Sequence, residues 1–287
     1  MQHFVIYREY KIMIFLYQLP PLYKGQIIKR PSASCRSPYV ADVTMEGYGE
    51  IQMVHAPSLG CSGYADASQW VWMTKHENPK LCTHVIHLAE RNEKGEMYCV
   101  GIHPKSAEKI VNLCLEKGCI FSLDHVSNIE REKTFLHSRF DFVCRDKENR
   151  FTIIEVKNVP CADYEDLDYK ERKHKDFSHR RVNTKVAYFP DGYRKKKSDP
   201  VSPRALKHIQ ELKELKQEHP DYRCVLIFVI QRPDVAYFQA SVVDPLYKKS
   251  LYNAFRAGVE VIPIQVSWNQ CGQCHYHNTL PYSYFSR

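Results

Sequence analysis

Two short segments of the chain place acidic and basic side chains at a spacing that suits phosphodiester chemistry. The first is Ser-Arg-Phe-Asp-Phe-Val-Cys at 138–144, and the second is Phe-Thr-Ile-Ile-Glu-Val-Lys-Asn at 151–158. Both are strand-like, and the polar stretch 145–150 between them has the composition of a turn. The pattern therefore predicts a β-hairpin.

The register of this hairpin decides which side chains meet. If the turn is centred on Glu148, Asp141 lies directly opposite Glu155, because the two are equidistant from that centre. Directly opposed residues of an antiparallel pair share a face, with Cβ atoms roughly 4.5–5.5 Å apart. Lys157 is two residues past Glu155 and so lies on that face, beside Arg139. The alternate side chains are expected to face a core: Phe140, Phe142, Ile154 and Val156.

Adjacent carboxylates repel each other, and a hard divalent cation such as Mg²⁺ or Mn²⁺ relieves that repulsion. The metal can activate water and neutralise charge on a phosphate, while a nearby lysine orients the water or stabilises the developing charge. Asp141, Glu155 and Lys157 are thus candidate catalytic residues, with Asp141 and Glu155 as metal ligands. The same spacing also occurs by chance on the solvated face of a hairpin, and this alternative stays open at this point.

The elements around the hairpin predict an α/β domain over 101–268. A helix is expected from Pro104 to a stop at Gly118, and another begins at Ser202-Pro203, a good N-cap followed by proline. The continuous apolar run Cys224–Ile230 is typical of a strand buried on both faces. A further helix after Asp244 precedes a last strand.

The preceding residues, 20–100, predict an all-β domain. Six short strand-like segments are separated by turn-forming residues, with no helical periodicity among them. We expect a small closed β-barrel. Within it, Trp70 and Trp72 share a strand face, and a core pair is a commoner explanation than a base-stacking platform.

The stretch 161–199 within the second domain is a basic insert. Residues 170–197 contain eleven Lys or Arg against three acids. A solvated, mobile loop and a phosphate-contacting arm are both consistent with this composition, and the two are compatible. Three of its basic residues are candidate contacts to nucleic acid: Lys195, Lys196 and Lys197.

The two ends of the chain carry fewer signals. Residues 1–19 are expected to be an N-terminal extension or a strand that packs on the barrel, and 269–287 a C-terminal tail. The tail holds Cys271 and Cys274 at CxxC spacing near two histidines, but no second CxxC completes a structural zinc site. We do not expect zinc.

Several ordered motifs make the chain resemble the sugar fermentation stimulation protein family, in which an OB-like nucleic-acid-binding barrel precedes a PD-(D/E)xK restriction-endonuclease-like domain. The resemblance covers roughly residues 20–267. Its carriers are Ser138-Arg139-Phe-Asp141-Phe142, Ile154-Glu155-Val-Lys157-Asn158-Val159, Tyr188-Phe189-Pro190-Asp191, Lys207-His208-Ile-Gln-Glu211-Leu212, Phe228-Val-Ile-Gln231-Arg232 and Ala257-Gly258-Val259-Glu260.

The resemblance implies that Asp141, Glu155 and Lys157 form the nuclease core. It also matches Glu130 to an upstream acid of the family, either a further metal ligand or an exposed side chain of a charged stretch. Further nucleic-acid contacts are expected at Arg139 of the hairpin, on the flanking helix and at the end of the buried strand, where ligands of open sheets bind. The residues of the helix and of the strand end are Lys207, His208, Gln231 and Arg232.

The chain also departs from the family pattern. It inserts Arg194–Asp199 before the Lys-His helix, and Ser58 and Leu59 replace the family's Asn-Thr in the barrel, which puts that part of the binding surface in doubt. Phe140 stands where the family signature name places proline.

The bulk composition is compatible with a protein that binds nucleic acid. Lys and Arg total 41 against 33 Asp and Glu, a formal net charge of +8. An odd number of cysteines, several in apolar runs, suggests reduced thiols, and no run reaches the ~18 apolar residues of a transmembrane helix. We therefore expect no membrane partner and a cytoplasmic protein, with the nucleus as the alternative because of the lysine run 195–197.

The function predicted from the sequence is a metal-dependent nuclease that acts on single- or double-stranded DNA or on RNA. A non-catalytic DNA-binding regulator with the same fold is the alternative. The absence of both a P-loop and a dinucleotide-binding glycine motif disfavours nucleotide-driven chemistry. The sequence does not indicate an oligomeric state.

Overall fold

The computed structural model describes residues 13–58, 61, 63–172, 174–192, 196 and 199–283. The first half of the chain contains β1 (Ile14–Gln18), β2 (Leu22–Lys29), β3 (Val40–Met45), β4 (Gln52–His55), β5 (Trp70–Lys75), β6 (His84–Glu93) and β7 (Glu96–Gly101). It continues with α1 (Pro104–Glu116), β8 (Ser127–Phe135), β9 (Ser138–Arg145), β10 (Phe151–Val159), β11 (Ala162–Asp163), α2 (Tyr169–Arg172) and β12 (Lys185–Phe189). The last elements are α3 (Pro203–Glu218), β13 (Arg223–Ile230), β14 (Val235–Ala240), α4 (Pro245–Arg256), β15 (Glu260–Trp268), β16 (Gln273–Thr279) and β17 (Tyr282–Ser283).

Most strands belong to one large mixed sheet. Among the described residues it has thirteen strands in the order β4-β3-β2-β5-β6-β7-β15-β13-β10-β9-β8, with β16 beside β15 and β1 beside β16. A second sheet has the order β11-β12-β14-β17. The fold is therefore mixed α/β with an all-β first part, as the sequence predicted.

The all-β part closes on itself through strand pairing. In addition to the path above, β4 pairs with β6, at Val54↔His84 and His55↔Val85, so β2 to β6 form a ring of pairings. Gly25 lies where β2 passes between its neighbours: a Cβ there would be 2.6 Å from Val43 and 2.8 Å from Met73. Only glycine fits this approach, which holds the ring tight around its apolar interior.

The α/β part has the buried centre that the apolar run predicted. Every residue of β13 is buried, and β13 runs parallel to both β10 and β15. One core packs α1 against the sheet, and the other packs α3 and α4 against the opposite face. Strands covered on both faces are continuously apolar for this reason.

The caps of the two later helices are those that the sequence predicted. The side chain of Ser202 accepts a hydrogen bond from Ala205 N (3.4 Å), and that of Asp244 accepts one from Tyr247 N (3.0 Å). A proline occupies the first turn in both helices. These local signals fix where α3 and α4 begin and so how they lie against the sheet.

The two ends of the chain pair with each other. β1 runs antiparallel to β16, and Leu16 and Tyr17 enter the core beneath α1. Of the two alternatives for 1–19, an extension or a strand that packs on the barrel, the structure shows a strand at β1, but one that pairs with β16 and packs beneath α1 rather than on the barrel. The strand covers the edge that β16 would otherwise expose. Residues 1–12 lie outside the described residues.

The described helices include none with the length and apolar character needed to cross a membrane.

Candidate active site

The hairpin of β9 and β10 has the register that the sequence predicted. The paired residues run from Phe151↔Arg145 to Ile154↔Phe142, which centres the turn on Glu148. Asp141 accepts a hydrogen bond from the backbone N–H of Val156, at 2.7 Å. The acid of β9 is therefore fixed against the strand that carries Glu155 and Lys157.

Lys157 and Glu155 share a face, again as predicted. Lys157 Nζ makes a short ion pair with Glu155 Oε1, and both side chains are largely buried. The β-strand periodicity of two puts residues 155 and 157 side by side, and the chain continues β10 without a bulge between them. The structure thus brings the three predicted core residues together.

One predicted orientation is wrong. Phe142, Ile154 and Val156 face the core beneath α1, but Phe140 packs in the opposite core, with its ring 5.8 Å from that of His208. The pairing between β9 and β10 ends at Phe142, whereas β9 continues to pair with β8 at Lys133↔Phe140. Released from β10, this end of β9 follows β8 and turns its phenylalanine toward α3.

The two carboxyl groups have opposite pKa shifts. Burial, and next the charge of Glu155, raises the pKa of Asp141 to about 7. Burial alone would raise the pKa of Glu155 too, but the ammonium of Lys157 and a hydrogen bond from His208 outweigh it and hold that pKa below its usual value. One group is readily protonated near neutral pH and the other is held as a carboxylate.

His208 supports Glu155 from behind. It lies on α3, its side chain is buried, and its Nδ1 is 2.5 Å from Glu155 Oε1. The sequence assigned His208 to nucleic-acid contact, but burial places it against the carboxylate instead. Its neighbour Lys207 is exposed and donates to the carbonyl of His137 (2.6 Å) rather than entering the site.

A cavity of about 630 Å³ opens beside Asp141 and is lined mainly by charged residues. Two of its residues are the carboxylates Glu108, on α1, and Glu132, on β8. The cations are Lys105, Lys109, Arg131, Arg139 and Arg204. Arg139 was predicted to contact nucleic acid, and the structure does place it here. A cavity with five cations beside a carboxylate pair can hold a phosphate group near Asp141.

Glu108 is a residue that the sequence reasoning missed. It lines the cavity, and its charge is among those that raise the pKa of Asp141. Arg131 Nη2 donates to Glu108 Oε2 at 3.1 Å. Lys105, Glu108 and Lys109 stand at i, i+3 and i+4 on α1, a spacing that puts them on one helical face. That charged stripe was the available signal.

Glu130, the predicted upstream metal ligand, lies away from this cavity lining. Its side chain is 55% exposed and pairs with Lys133 at 2.5 Å. In the β8–β9 ladder it stands opposite Val143, whereas Glu132 lies between the pairs that flank Asp141. The acid of β8 next to the site is therefore Glu132, two residues farther along the strand.

Gln231 and Arg232 do lie at the end of the buried strand, but both side chains are fully buried. Gln231 Nε2 donates to Asn158 Oδ1 (2.7 Å), and its Oε1 accepts from Trp268 Nε1 (2.9 Å). Arg232 donates to Asp234 Oδ1 at 2.6 Å. Both side chains are buried and bonded within the protein, so in this arrangement neither can contact nucleic acid directly as predicted.

Much of the basic insert is ordered structure rather than a solvated loop. β12 lies within it and pairs with β14, and Lys185 is buried. Lys94, in the turn between β6 and β7, donates to the carbonyls of Phe177 (2.9 Å) and Ser178 (3.1 Å). The insert is held by contacts with the β6–β7 turn and with β14, which its basic composition does not indicate.

The structure describes only one residue of the lysine run 195–197. Lys196 is exposed, whereas Lys195 and Lys197 lie outside the described residues, as does Leu59 of the barrel loop. Ser58 is described, and its carbonyl accepts from Arg30 Nη2 (2.5 Å).

The cysteines of the tail point to different surroundings. Cys274 is buried in the core beneath α1, and Cys271 is exposed. Across the described part of the chain, no group of three or more His, Cys, Asp or Glu side chains is arranged to hold a metal ion. A site with Asp141 and Glu155 would therefore complete its coordination with water or phosphate oxygens, as Mg²⁺ sites commonly do.

The carboxylate pair itself fits such a cation. Glu155 Oε2 is buried and, among the described atoms, has no hydrogen-bond partner. Asp141 is held partly protonated near neutral pH by burial and by Glu155. A bound divalent cation would contact the unpaired oxygen of Glu155 and would favour the ionised form of Asp141. Both features therefore fit a site for a hard cation.

The tryptophan pair of the all-β part is not a core pair. Trp70 is 45% exposed, and Trp72 is only partly buried. Lys24 Nζ lies 5.0 Å from the Trp70 ring centroid and 5.4 Å from that of Trp72. The interpretation as a core pair is wrong for Trp70, because β5 turns this side chain to the surface, whereas Trp72 packs at the border of the core beneath α1.

Comparison with known proteins gives a consistent result. Residues 105–169 and 175–272 match the family model described as "Sugar fermentation stimulation protein RE domain". A sugar fermentation stimulation protein homolog of Aeromonas salmonicida is 27% identical over 248 residues, covering 85% of this chain and 86% of the relative. A homolog of Shewanella baltica is 29% identical, covering 85% and 89%.

A solved structure has a similar fold over nearly the whole chain. It is that of Pyrococcus furiosus SfsA in complex with Ca²⁺, with a TM-score of 0.72 and 19% sequence identity. The alignment covers 94% of this chain and 99% of the other. At this identity the likeness shows the fold.

Proposed function

The chain belongs to the sugar fermentation stimulation protein family, and from that premise we propose that it is a metal-dependent nuclease. The reaction is hydrolysis of a phosphodiester bond in nucleic acid. Asp141, Glu155 and Lys157 are the catalytic residues, and Mg²⁺ or Mn²⁺ is the cofactor.

One observation carries this proposal: Val156 N–H fixes the Asp141 carboxylate to β10, next to the Glu155–Lys157 pair. Asp141 also lines the cavity that holds the five cations. Surface charges of an ordinary hairpin are not buried, yet these three side chains are mostly buried. Keeping charged groups buried costs free energy, and such arrangements concentrate at functional sites.

Asp141 and Glu155 are the residues that would hold the metal. Both offer carboxylate oxygens, and Glu155 Oε2 has no partner among the described atoms. When bound, the cation would polarise a phosphate oxygen and lower the pKa of a water. The Pyrococcus furiosus relative was solved with Ca²⁺, another cation that prefers oxygen ligands. That support is why a divalent cation rather than zinc is proposed.

The remaining residues have separate roles. Lys157 supplies a positive charge beside Glu155, where it can stabilise negative charge that develops on a phosphate. Arg139 and Arg204 line the cavity and can take non-bridging phosphate oxygens through their planar donor forks. His208 orients Glu155 without touching substrate, which makes it a positioning residue.

The all-β part is proposed as the nucleic-acid-binding barrel. Five of its strands close a ring of pairings, the topology on which OB-like folds present a binding face. The outward Trp70 with Lys24 above its ring offers one base-stacking position. DNA, single- or double-stranded, and RNA all have the required phosphates and bases.

The test is a cleavage assay on single- and double-stranded DNA and RNA, with Mg²⁺, Mn²⁺ or EDTA. The wild-type chain should cleave at least one of these substrates in the presence of metal and none in EDTA. An Asp141→Ala/Lys157→Ala variant should bind but not cleave. If the wild type binds DNA and cleaves no substrate with either metal, the protein is a non-catalytic DNA-binding regulator, and the proposal fails.

A further inference from the structure

A second cavity lies where the all-β part meets the basic insert. Its volume is about 470 Å³, within the usual range for small-molecule sites. Arg91 and Tyr98, from the β6–β7 hairpin, form one side. Arg172 and Lys185, from the insert, form the other. The cavity is separate from the one beside Asp141, because the two share no lining residue.

The deep wall of this cavity is a fixed ionic network. Lys185 is buried, and its ammonium contacts Glu93, Asp234 (2.8 Å) and the hydroxyl of Tyr98 (3.0 Å). Arg232 is fully buried and donates to Asp234 and to the hydroxyl of Tyr64, each at 2.6 Å. These contacts neutralise both cations within the protein.

The network makes the cavity preorganised. The hydroxyl of Tyr164 donates to Glu93 at 2.7 Å, and that of Tyr188 accepts from Arg172 at 2.9 Å. Side chains held this way do not need to be ordered when a ligand binds, which reduces the entropic cost of binding. Folding stability gives a weak reason to bury so many charges, and a binding site gives a better one.

Among the described atoms, two arginines of the cavity have N–H groups without a hydrogen-bond partner. Arg91 donates through Nη1 to Gln69 Oε1 (3.1 Å) and lies 5.2 Å above the Tyr64 ring, which uses one of its five N–H donors. Within the described residues, the hydrogen bonds of Arg172 leave from Nη2, to Leu167 O and the Tyr188 hydroxyl. Its buried Nε has no hydrogen bond of good geometry among the described atoms, although Asp163 Oδ2 is 3.2 Å away.

We propose that this cavity binds one phosphorylated nucleotide, with the phosphate between Arg91 and Arg172. Arginine forks on two sides suit a tetrahedral anion that accepts several hydrogen bonds. A cavity of this volume also leaves room for the attached nucleoside, and the tyrosine side chains offer it aromatic and hydroxyl contacts. The inference rests on the proposed function only in taking nucleic acid as the substrate class.

The same ligand chemistry has two sources. One is a free mononucleotide, and the other is the phosphorylated terminal nucleotide of a strand. Either one would link the β6–β7 hairpin to the insert, since Arg91 and Arg172 belong to these two segments.

The experiment is calorimetric titration of the full chain with deoxyadenosine monophosphate in EDTA, which removes any metal-mediated binding beside Asp141. The wild type should bind, and Arg91→Gln and Arg172→Gln should each weaken binding at least tenfold. Arg91→Lys, which keeps the charge but not the fork, should fall between. Arg36→Gln removes an exposed arginine elsewhere and should bind like the wild type.

The proposal is overturned if the wild type does not bind the nucleotide, or if the Arg91→Gln and Arg172→Gln variants, with melting temperatures like the wild type, bind it equally well. Equal affinity for inorganic phosphate, or for deoxyadenosine without phosphate, would also overturn it. Loss of binding in Asp141→Ala would place the nucleotide at the other cavity and have the same consequence.

Competition with oligonucleotides distinguishes the two sources. A 5′- or 3′-phosphorylated strand that displaces the mononucleotide better than its hydroxyl-ended counterpart identifies a strand end. Displacement by free mononucleotides alone identifies the free ligand, and both results support the site. A chain that cleaves nucleic acid but binds no mononucleotide overturns this inference alone, and the reverse result overturns only the proposed nuclease.

Discussion

Asp141 on one strand of the hairpin accepts a hydrogen bond from the backbone N–H of Val156 on the other, at 2.7 Å. This single contact locks the acid of β9 onto the strand that carries Glu155 and Lys157. Burial, and next the charge of Glu155, raises the pKa of Asp141 to about 7, although the hydrogen bond from Val156 acts in the opposite direction. The hydrogen bond therefore holds the Asp141 carboxyl close to that of Glu155, although the two repel each other when both are ionised.

Replacing Asp141 by Asn should stabilise the metal-free protein, and more so at higher pH. The folded-state pKa of Asp141 is about 7 against an ordinary value of 3.8, so its stabilising contribution is present below the ordinary value and lost as pH rises through 7. Asparagine stays neutral throughout. At pH 8 in EDTA we expect the melting temperature to rise by roughly 5 °C, and at pH 5 by much less.

The same melting experiment has an internal check. Mn²⁺ should raise the melting temperature of the wild type at pH 8 and should not raise that of Asp141→Asn, because the metal neutralises a charge that only the wild type has. Equal stabilisation of both proteins by Mn²⁺ would mean that Asp141 is not a ligand.

Replacing His208 by Gln should shift the pH dependence of cleavage. The hydrogen bond from His208 helps to hold the pKa of Glu155 low, so its loss should let that pKa rise. The acid limb of the pH–rate profile then moves to higher pH, and the rate falls about tenfold, with substrate binding retained. Lys207→Ala, one residue earlier on the exposed side of α3, is the control. An unmoved acid limb in the His208 variant would show that this histidine does not position Glu155.

A stacked histidine pair should make the protein sensitive to acid. The rings of His87 and His103 are parallel to within 11° and 4.7 Å apart. Burial, and next the proximity of His103, lowers the pKa of His87 to about 3. Burial, and next the proximity of His55, lowers the pKa of His103 to about 4. The groups that face the pair and add to this effect are Lys109 for His87, and His55 and Lys105 for His103.

Both folded-state pKa values lie below 6.5, so the folded state does not pay for protonating these histidines above pH 6.5. As pH falls from 6.5 toward 4, the unfolded state takes up protons that the folded pair does not, and the free energy of unfolding decreases. His103→Phe keeps the stacking and removes one titration, so the drop in melting temperature between pH 7 and pH 4.5 should shrink by several degrees. His125→Phe removes an exposed histidine and should not change the drop. A similar drop in all three proteins would exclude the pair as its cause.

The lysine run should contribute to the salt dependence of nucleic-acid binding. Changing Lys195, Lys196 and Lys197 to Gln should reduce the slope of log affinity against log salt by about one for each lysine that contacts phosphate. A triple variant at exposed positions outside the all-β part and the insert serves as the control: Lys117, Lys147 and Lys249. An unchanged slope in the first variant would show that the run does not touch phosphate.

The sequence was sufficient where local patterns decide the structure. The strict period of a β-strand and a short turn were enough to pair Asp141 with the strand of Glu155, and a Ser-Pro or Asp-Pro step was enough to begin α3 and α4. The family resemblance was confirmed by the family model.

The sequence was insufficient where distant segments meet. Glu108 joins the site from α1, and no local pattern links it to Asp141. Arg232 stands at the end of β13 as expected, but its side chain is buried against Tyr64, which comes from a distant turn of the all-β part. Glu130 and Glu132 differ by two residues, and only the pairing of β8 with β9 decides which one reaches the site.

In the proposed nuclease, Lys157 takes part in metal-dependent cleavage by stabilising charge that develops on the phosphate. Its most direct test is the single-turnover cleavage rate, in Mn²⁺, of Lys157→Ala beside Lys147→Ala, which removes an exposed lysine from the turn of the same hairpin. We expect a rate at least about 100-fold lower for Lys157→Ala, because a group that stabilises developing charge is lost, and a wild-type rate for Lys147→Ala. Equal rates for the two variants would contradict it.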